Sequence, residues 1–171
     1  MTAPTGRSRA QENKRLHLVM RDASMVEGSV FIAEDMSLVA FLGSRKGGWM
    51  NMVDARRPKL AEEPGHLIIQ TDLVVLVTAP DNNMQVISAS GSGAGEREVE
   101  LHLIGGKTLR GVMFLAPMQR LSDYLSHAGK FAGITRATLL PDGHEVGDVA
   151  VSTSAIAMIR EARPEAPSAS P

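Results

Sequence analysis

Cysteine is absent from the 171 residues, so the chain has no disulfide framework, no thiolate metal site and no cysteine nucleophile. Net charge is almost absent as well. Eighteen Lys and Arg against 19 Asp and Glu leave a formal −1 at pH 7, and a pI near 6.5 gives no overall attraction to phosphate backbones or anionic lipid. No apolar stretch approaches the roughly 18 residues needed for a spanning helix, and the opening MTAPTGRSRAQENKR lacks the apolar run of a signal peptide. These absences predict a cytoplasmic protein without membrane contact, for which nucleic acid is not the expected partner. Aromatic residues are also scarce, with a single Trp and a single Tyr. What is present is 43% hydrophobic residues, enough to build a core in one domain or two small ones.

In chain order, Leu16, Leu18 and Met20 alternate with His17, Val19 and Arg21, the period-2 pattern of a strand with one buried face. Residues 22–24 form a turn, and 25–33 a second strand with Gly28 inside it. An interior glycine weakens a strand unless the backbone bends there or another backbone comes close. Val30, Phe31 and Ile32 are apolar on both faces, as expected of a bent strand serving two layers. Ser37 is placed to cap a short helix whose Leu38, Phe41 and Leu42 fall at i, i+3 and i+4, with Gly43 to end it. Strands follow over 49–55, 66–69 and 73–77, the last two separated by a triplet, Gln70-Thr71-Asp72, that fits only a tight turn or one 3₁₀ turn. Beyond Pro80, residues 84–88 are a candidate extra strand, and the run SGSGAG at 90–95 has the composition of a flexible linker.

The stretch 105–125, GGKTLRGVMFLAPMQRLSDYL, has a weaker copy 83 positions earlier: Gly111 and Phe114 answer to Gly28 and Phe31, and Leu121 and Leu125 to Leu38 and Leu42. Past the helix the offset falls to 82, so that Gly147 answers to Gly65 and Thr153 to Thr71. The same succession recurs around these positions. Val99, Leu101 and Leu103 alternate; Gly105-Gly106 is a turn that needs positive φ; and Gly111 lies inside the strand 109–115. Leu121, Tyr124 and Leu125 form a helical stripe with Ser122 as its cap, after which come the strand 131–140, a turn at 141–144, and closing strands at 149–151 and 156–159. The expected organisation is therefore a disordered N-terminus (1–13), a first unit (14–79), a linker (80–97), a second unit (98–160) and a disordered tail (161–171). Units of about 65 residues are marginal on their own, so the two are expected to pack together or to oligomerise.

This order of elements resembles that of small five-stranded barrels of the SH3-like and Sm-like type, and more closely a family of uncharacterised bacterial small-barrel domains. The residues that carry the resemblance are Leu109 to Leu115 with Gly111, the run Arg120-Leu121-Ser122-Asp123-Tyr124-Leu125, Phe131, Ala137, and Val151 to Ile156. It covers 99–160 well and 16–77 loosely, since Ala40 and Phe41 stand in place of Asp123 and Tyr124. The fold it implies is mainly β: two tandem five-stranded barrels related by internal duplication, each with a short helix between its second and third strands. Gly28, Gly111, Leu38, Leu42, Leu121, Tyr124 and Leu125 are the structural residues of that scheme. No activity, cofactor or metal comes with the resemblance.

The remaining motifs are incomplete. The stretch from Asp22 to Gly28 resembles the acidic loop of cyclic-dinucleotide-binding PilZ barrels, but its spacing is one residue too long, and Arg7, Arg9 and Arg15 miss the arginine spacing. Gly105-Gly106-Lys107-Thr108 ends like a phosphate-binding loop, yet Leu101 stands where that motif has a glycine, and a strand follows rather than a helix. His144, Glu145 and Asp148 cluster without the spacing of a zinc helix, and His17 and His102 fall on outer strand faces. No Ser/His/Asp arrangement is singled out. Arg45, Lys46 and Trp49, with Arg56, Arg57 and Lys59, make the first unit locally basic. Trp49, Arg56 and Arg57 are the candidate surface for stacking and holding RNA or a small ligand. The functional expectation is a non-enzymatic interaction or scaffold protein with a protein partner or self-association, without cofactor. An RNA- or ligand-binding regulator is the alternative.

Overall fold

The computed structural model describes residues 10–80, 84–87 and 94–162. Ten strands and two short α-helices follow one another: β1 (Gln11–Met20), β2 (Met25–Ala33), α1 (Leu38–Gly43), β3 (Trp49–Arg56), β4 (Gly65–Gln70), β5 (Val74–Thr78), β6 (Gly95–Leu103), β7 (Thr108–Leu115), α2 (Leu121–His127), β8 (Phe131–Leu140), β9 (His144–Ser152) and β10 (Ile156–Glu161). Each helix thus falls between the second and third strands of its half. The triplets ahead of β5 and β10 are 3₁₀ turns, Thr71–Leu73 and Thr153–Ala155. No helix among the described residues is long and apolar enough to cross a membrane.

All ten strands join one antiparallel sheet in the order β10-β6-β7-β8-β9-β5-β1-β2-β3-β4. Two closed barrels, the expectation from sequence, do not form. Closing the first half would require β5 to pair with β4, but the free side of β5 is taken by β9, with Leu76 opposite Val151, Val77 opposite Ala150 and Thr78 opposite Val149. The interiors are not private either. Phe131 and Ala150 of the second half belong to the apolar cluster built around Leu16, Phe41 and Met50, while Val75 and Leu76 of the first half belong to the cluster around Leu101, Leu109 and Ile134. Alternation along a strand sends successive side chains to opposite faces, so Ala150 serves one cluster while Val149 and Val151 serve the other.

The two halves nevertheless keep one register. Gly28 lies opposite Leu16 on β1, and Gly111 opposite Val99 on β6. Both glycines then pass over a break in the next ladder, between Glu27 and Ser29 on β2 and between Arg110 and Val112 on β7. At that break Asp54 (φ 47°) and Arg136 (φ 51°), 82 positions apart, adopt the left-handed conformation, and on the other side of the same strands the β3–β4 and β8–β9 ladders, broken there too, resume at an alanine facing a glycine: Ala55 with Gly65, and Ala137 with Gly147. The 3₁₀ turns are pinned alike. Thr71 donates its hydroxyl to the carbonyl of Gly48 at 3.1 Å, and Thr153 to that of Lys130 at 3.2 Å.

Several local expectations need correction. Phe31 is exposed while Val30 and Ile32 are buried, because β2 alternates regularly there and only one of its faces meets a core. Ser37 caps α1 as expected, accepting from the Ala40 N–H at 3.3 Å, but the helix runs through Gly43 and ends at Ser44. Ser122 does not cap α2; the cap position is Arg120, without a side-chain bond, and Ser122 lies inside the first turn. Residues 84–87 are not a strand. They run beside α1, where Gln85 and Val86 offer carbonyls to the N–H groups of Leu38 and Val39, donors that a helix start leaves unpartnered. Leu38, Phe41 and Leu42 are buried in an apolar cluster that Val86 joins, whereas Leu121, Tyr124 and Leu125 on α2 are only partly buried against their core. Burial pushes the Tyr124 phenol pKa up. β1 begins at Gln11 rather than beyond residue 13, its polar start held by backbone pairing with Ala33 to Ser29. β6 likewise begins within the expected linker, at Gly95. Glu161 of the expected C-terminal tail closes β10, and residues 1–9, 81–83, 88–93 and 163–171 lie outside the described residues.

Candidate interaction surface

The sheet has two ends, β4 and β10, and among the described residues no strand pairs with the outer side of either. An unpaired strand presents a row of backbone donors and acceptors ready to accept another chain, and natural edges are commonly blunted by charge or proline. These two are not well blunted. Ile68 on β4 is 60% exposed, Met158 on β10 57%, and Trp49, which pairs with the last residue of β4, 56%. Arg160 and Glu161 add charge only to the end of β10, with Arg160 ion-paired to Glu100 at 2.7 Å.

Trp49, Arg56 and Arg57 do not form one platform. Trp49 opens β3 and Arg56 closes it, about 20 Å apart at the usual rise of a strand. Each arginine is also engaged by a carboxylate, Arg56 by Glu27 and Arg57 by Glu62. Glu27 collects Arg15 at 3.6 Å and His17 at 3.5 Å as well, and its hydrogen bond from Arg56, reinforced by the charges of Arg56, Arg15 and His17, holds its carboxyl below the usual range. A carboxylate lowered in the folded state stabilises at pH values above its unfolded pKa, and that contribution is lost as the pH falls through the folded value. Glu27→Gln is therefore expected to lower stability by about 1 kcal/mol at neutral pH, with the gap to wild type closing below the carboxylate range. Urea midpoints at neutral and strongly acid pH measure this; equal midpoints at neutral pH would refute it.

His144, Glu145 and Asp148 all border one groove between the halves, but no group of three His, Asp or Glu among the described residues is arranged to hold a metal ion. Asp148 has a structural task that spacing did not reveal: its Oδ1 accepts the backbone N–H of Arg136 at 3.0 Å, satisfying the donor freed at the break in the ladder. His102 pairs with Glu100 at 3.1 Å. A groove of about 450 Å³ runs between the halves, with His17, Lys107, His144 and Glu145 among mainly apolar lining residues such as Val19, Leu76, Leu103, Leu139 and Val146. Compared with protein-family models, with curated proteins and with solved structures, the chain matches none.

Proposed function

We propose that this chain is a non-enzymatic interaction or scaffold protein, a doubled module of the small-barrel type whose two five-stranded units are opened out into one sheet. The doubling is supported by strand orders β5-β1-β2-β3-β4 and β10-β6-β7-β8-β9, each with its helix in the same place and its ladder broken at the same glycine. The observation that carries the function is the pair of unpaired edges: both ends of the sheet stop at strands carrying exposed apolar side chains, Ile68 and Met158. Addition of a strand to such an edge is an established recognition mode, with the ladder giving affinity and alternate side chains giving selectivity.

The test is affinity capture with the immobilised full chain, comparing wild type with the double variant Ile68→Lys/Met158→Lys. Retention of defined proteins by wild type and their loss from the double variant is the expected result. A wild-type chain that retains no protein above the bare matrix, or whose retained proteins are indifferent to the substitutions, would overturn the reading.

A further inference from the structure

We infer that the protein's partner is a second copy of itself, whose β4 continues the ladder of β10 and so repeats between molecules the joint that β5 and β9 make within one. The inference rests on the doubled-module reading above and specifies the partner. Under the 82-residue correspondence, Met158, Ile159 and Arg160 of β10 take the places of Leu76, Val77 and Thr78, while Ile69, Ile68 and Leu67 of β4 take those of Val151, Ala150 and Val149. The internal ladder therefore dictates the external one: Met158 opposite Ile69 of the neighbouring copy, Ile159 opposite Ile68, and Arg160 opposite Leu67.

The pattern of exposure supports the same pairing. At the internal joint Leu76 is 8% exposed, Ala150 0% and Phe131 3%, whereas their counterparts Met158, Ile68 and Trp49 are 57%, 60% and 56% exposed. Phe131 shows where Trp49 would go, since it leaves its own half and packs into the apolar cluster of the other. Three of the large exposed apolar side chains thus occupy positions that the existing joint covers when the same strands meet. The polar braces are not repeated. Within the chain, Lys130 bonds to Asp72 at 3.0 Å and Arg21 to the Ser154 hydroxyl at 2.7 Å, but Gly48 and Ile104 occupy the places of Lys130 and Arg21. The joint between copies is held by the ladder and apolar contact alone, and is the weaker of the two.

Because β10 meets β4 and never its own equivalent, the contact is head-to-tail: every copy offers one edge to each of two neighbours, and assemblies pass beyond the dimer. Light scattering on the purified full chain over a range of concentrations, together with the emission of Trp49, tests this. Wild type is expected to form species larger than two copies, with a blue shift of Trp49 as they form. Ile68→Lys and Met158→Lys each place a charge where the joint would bury it, and each alone should be a monomer with association weakened at least ~100-fold. Their melting should match that of dilute wild type, since both positions are exposed in the single chain. Mixed in equal amounts, the two variants retain one intact edge apiece and should form a one-to-one dimer and nothing larger. A wild type that stays monomeric at all concentrations, an assembly that survives either substitution, or a dimer formed by Met158→Lys alone through two β4 strands would overturn the inference. A monomeric wild type that still captures other proteins through these edges would sink this inference while leaving the broader interaction reading in place; the absence of edge-dependent capture would sink that reading separately.

Discussion

Gly111→Val is expected to remove more than about 4 kcal/mol of stability, enough to leave the chain largely unfolded at 37 °C. A Cβ at position 111 would lie 2.4 Å from the Ile134 side chain, 3.0 Å from the Thr135 carbonyl oxygen and 3.2 Å from the Ala137 Cα. The first neighbour could rotate away, but the other two are backbone atoms at the break in the β7–β8 ladder, so relief means separating the strands. Gly28 is crowded in the same way, with Ala55 Cβ at 2.7 Å and its Cα at 2.8 Å, and Gly28→Val should behave alike. Gly129→Ala is the control, because nothing lies within 4 Å of its added Cβ. Denaturant midpoints for the three variants decide the matter, and a Gly111→Val protein with the wild-type midpoint would show that the two strands are not pressed together there.

Phe131→Ala is expected to cost about 3–5 kcal/mol, the usual result of emptying the site of a buried aromatic ring, and to weaken both halves together. Phe131 is 3% exposed and packs in the cluster that contains Leu16, Phe41 and Met50 from the first half, so the loss is felt across the joint. The single tryptophan and single tyrosine fall in different halves, Trp49 on β3 and Tyr124 on α2. Unfolding followed through each ring and through far-UV circular dichroism should give coincident transitions before and after the substitution, as one cooperative unit requires. Separate transitions, with only the second half displaced by Phe131→Ala, would mean that the halves fold independently.

The features legible in the sequence were those written locally. Alternation at Leu16, Leu18 and Met20 fixed a half-buried strand, glycines inside two strands marked close approach, and a polar triplet between apolar runs gave the 3₁₀ turns. The joint itself was not legible. Four consecutive apolar residues at 74–77 announce burial on both sides, but nothing near them says that β9, some 73 residues away, is what covers the free side. Nor could composition tell Phe131 from Trp49, aromatic residues at equivalent places of which one is covered and the other bare. The breaks in the ladders were hidden because their left-handed residues are Asp54 and Arg136 rather than glycine, the residue that ordinarily signals that conformation. Basic and aromatic letters in the first half suggested a common platform, and the carboxylates that engage Arg56 and Arg57 came from Glu27 and Glu62, whose roles depend on folding.

The pairing of β5 with β9 also orders events during synthesis. The first half is complete when β5 emerges, yet its covering strand is still unmade, and at ~5–20 residues per second the intervening chain takes about 4–15 s to appear. For that interval Val75 and Leu76 stand on a bare edge. A neighbouring nascent chain on the same messenger could supply the missing strand first, so the spacing of ribosomes, and not only the final concentration of protein, would govern how often two chains become exchanged.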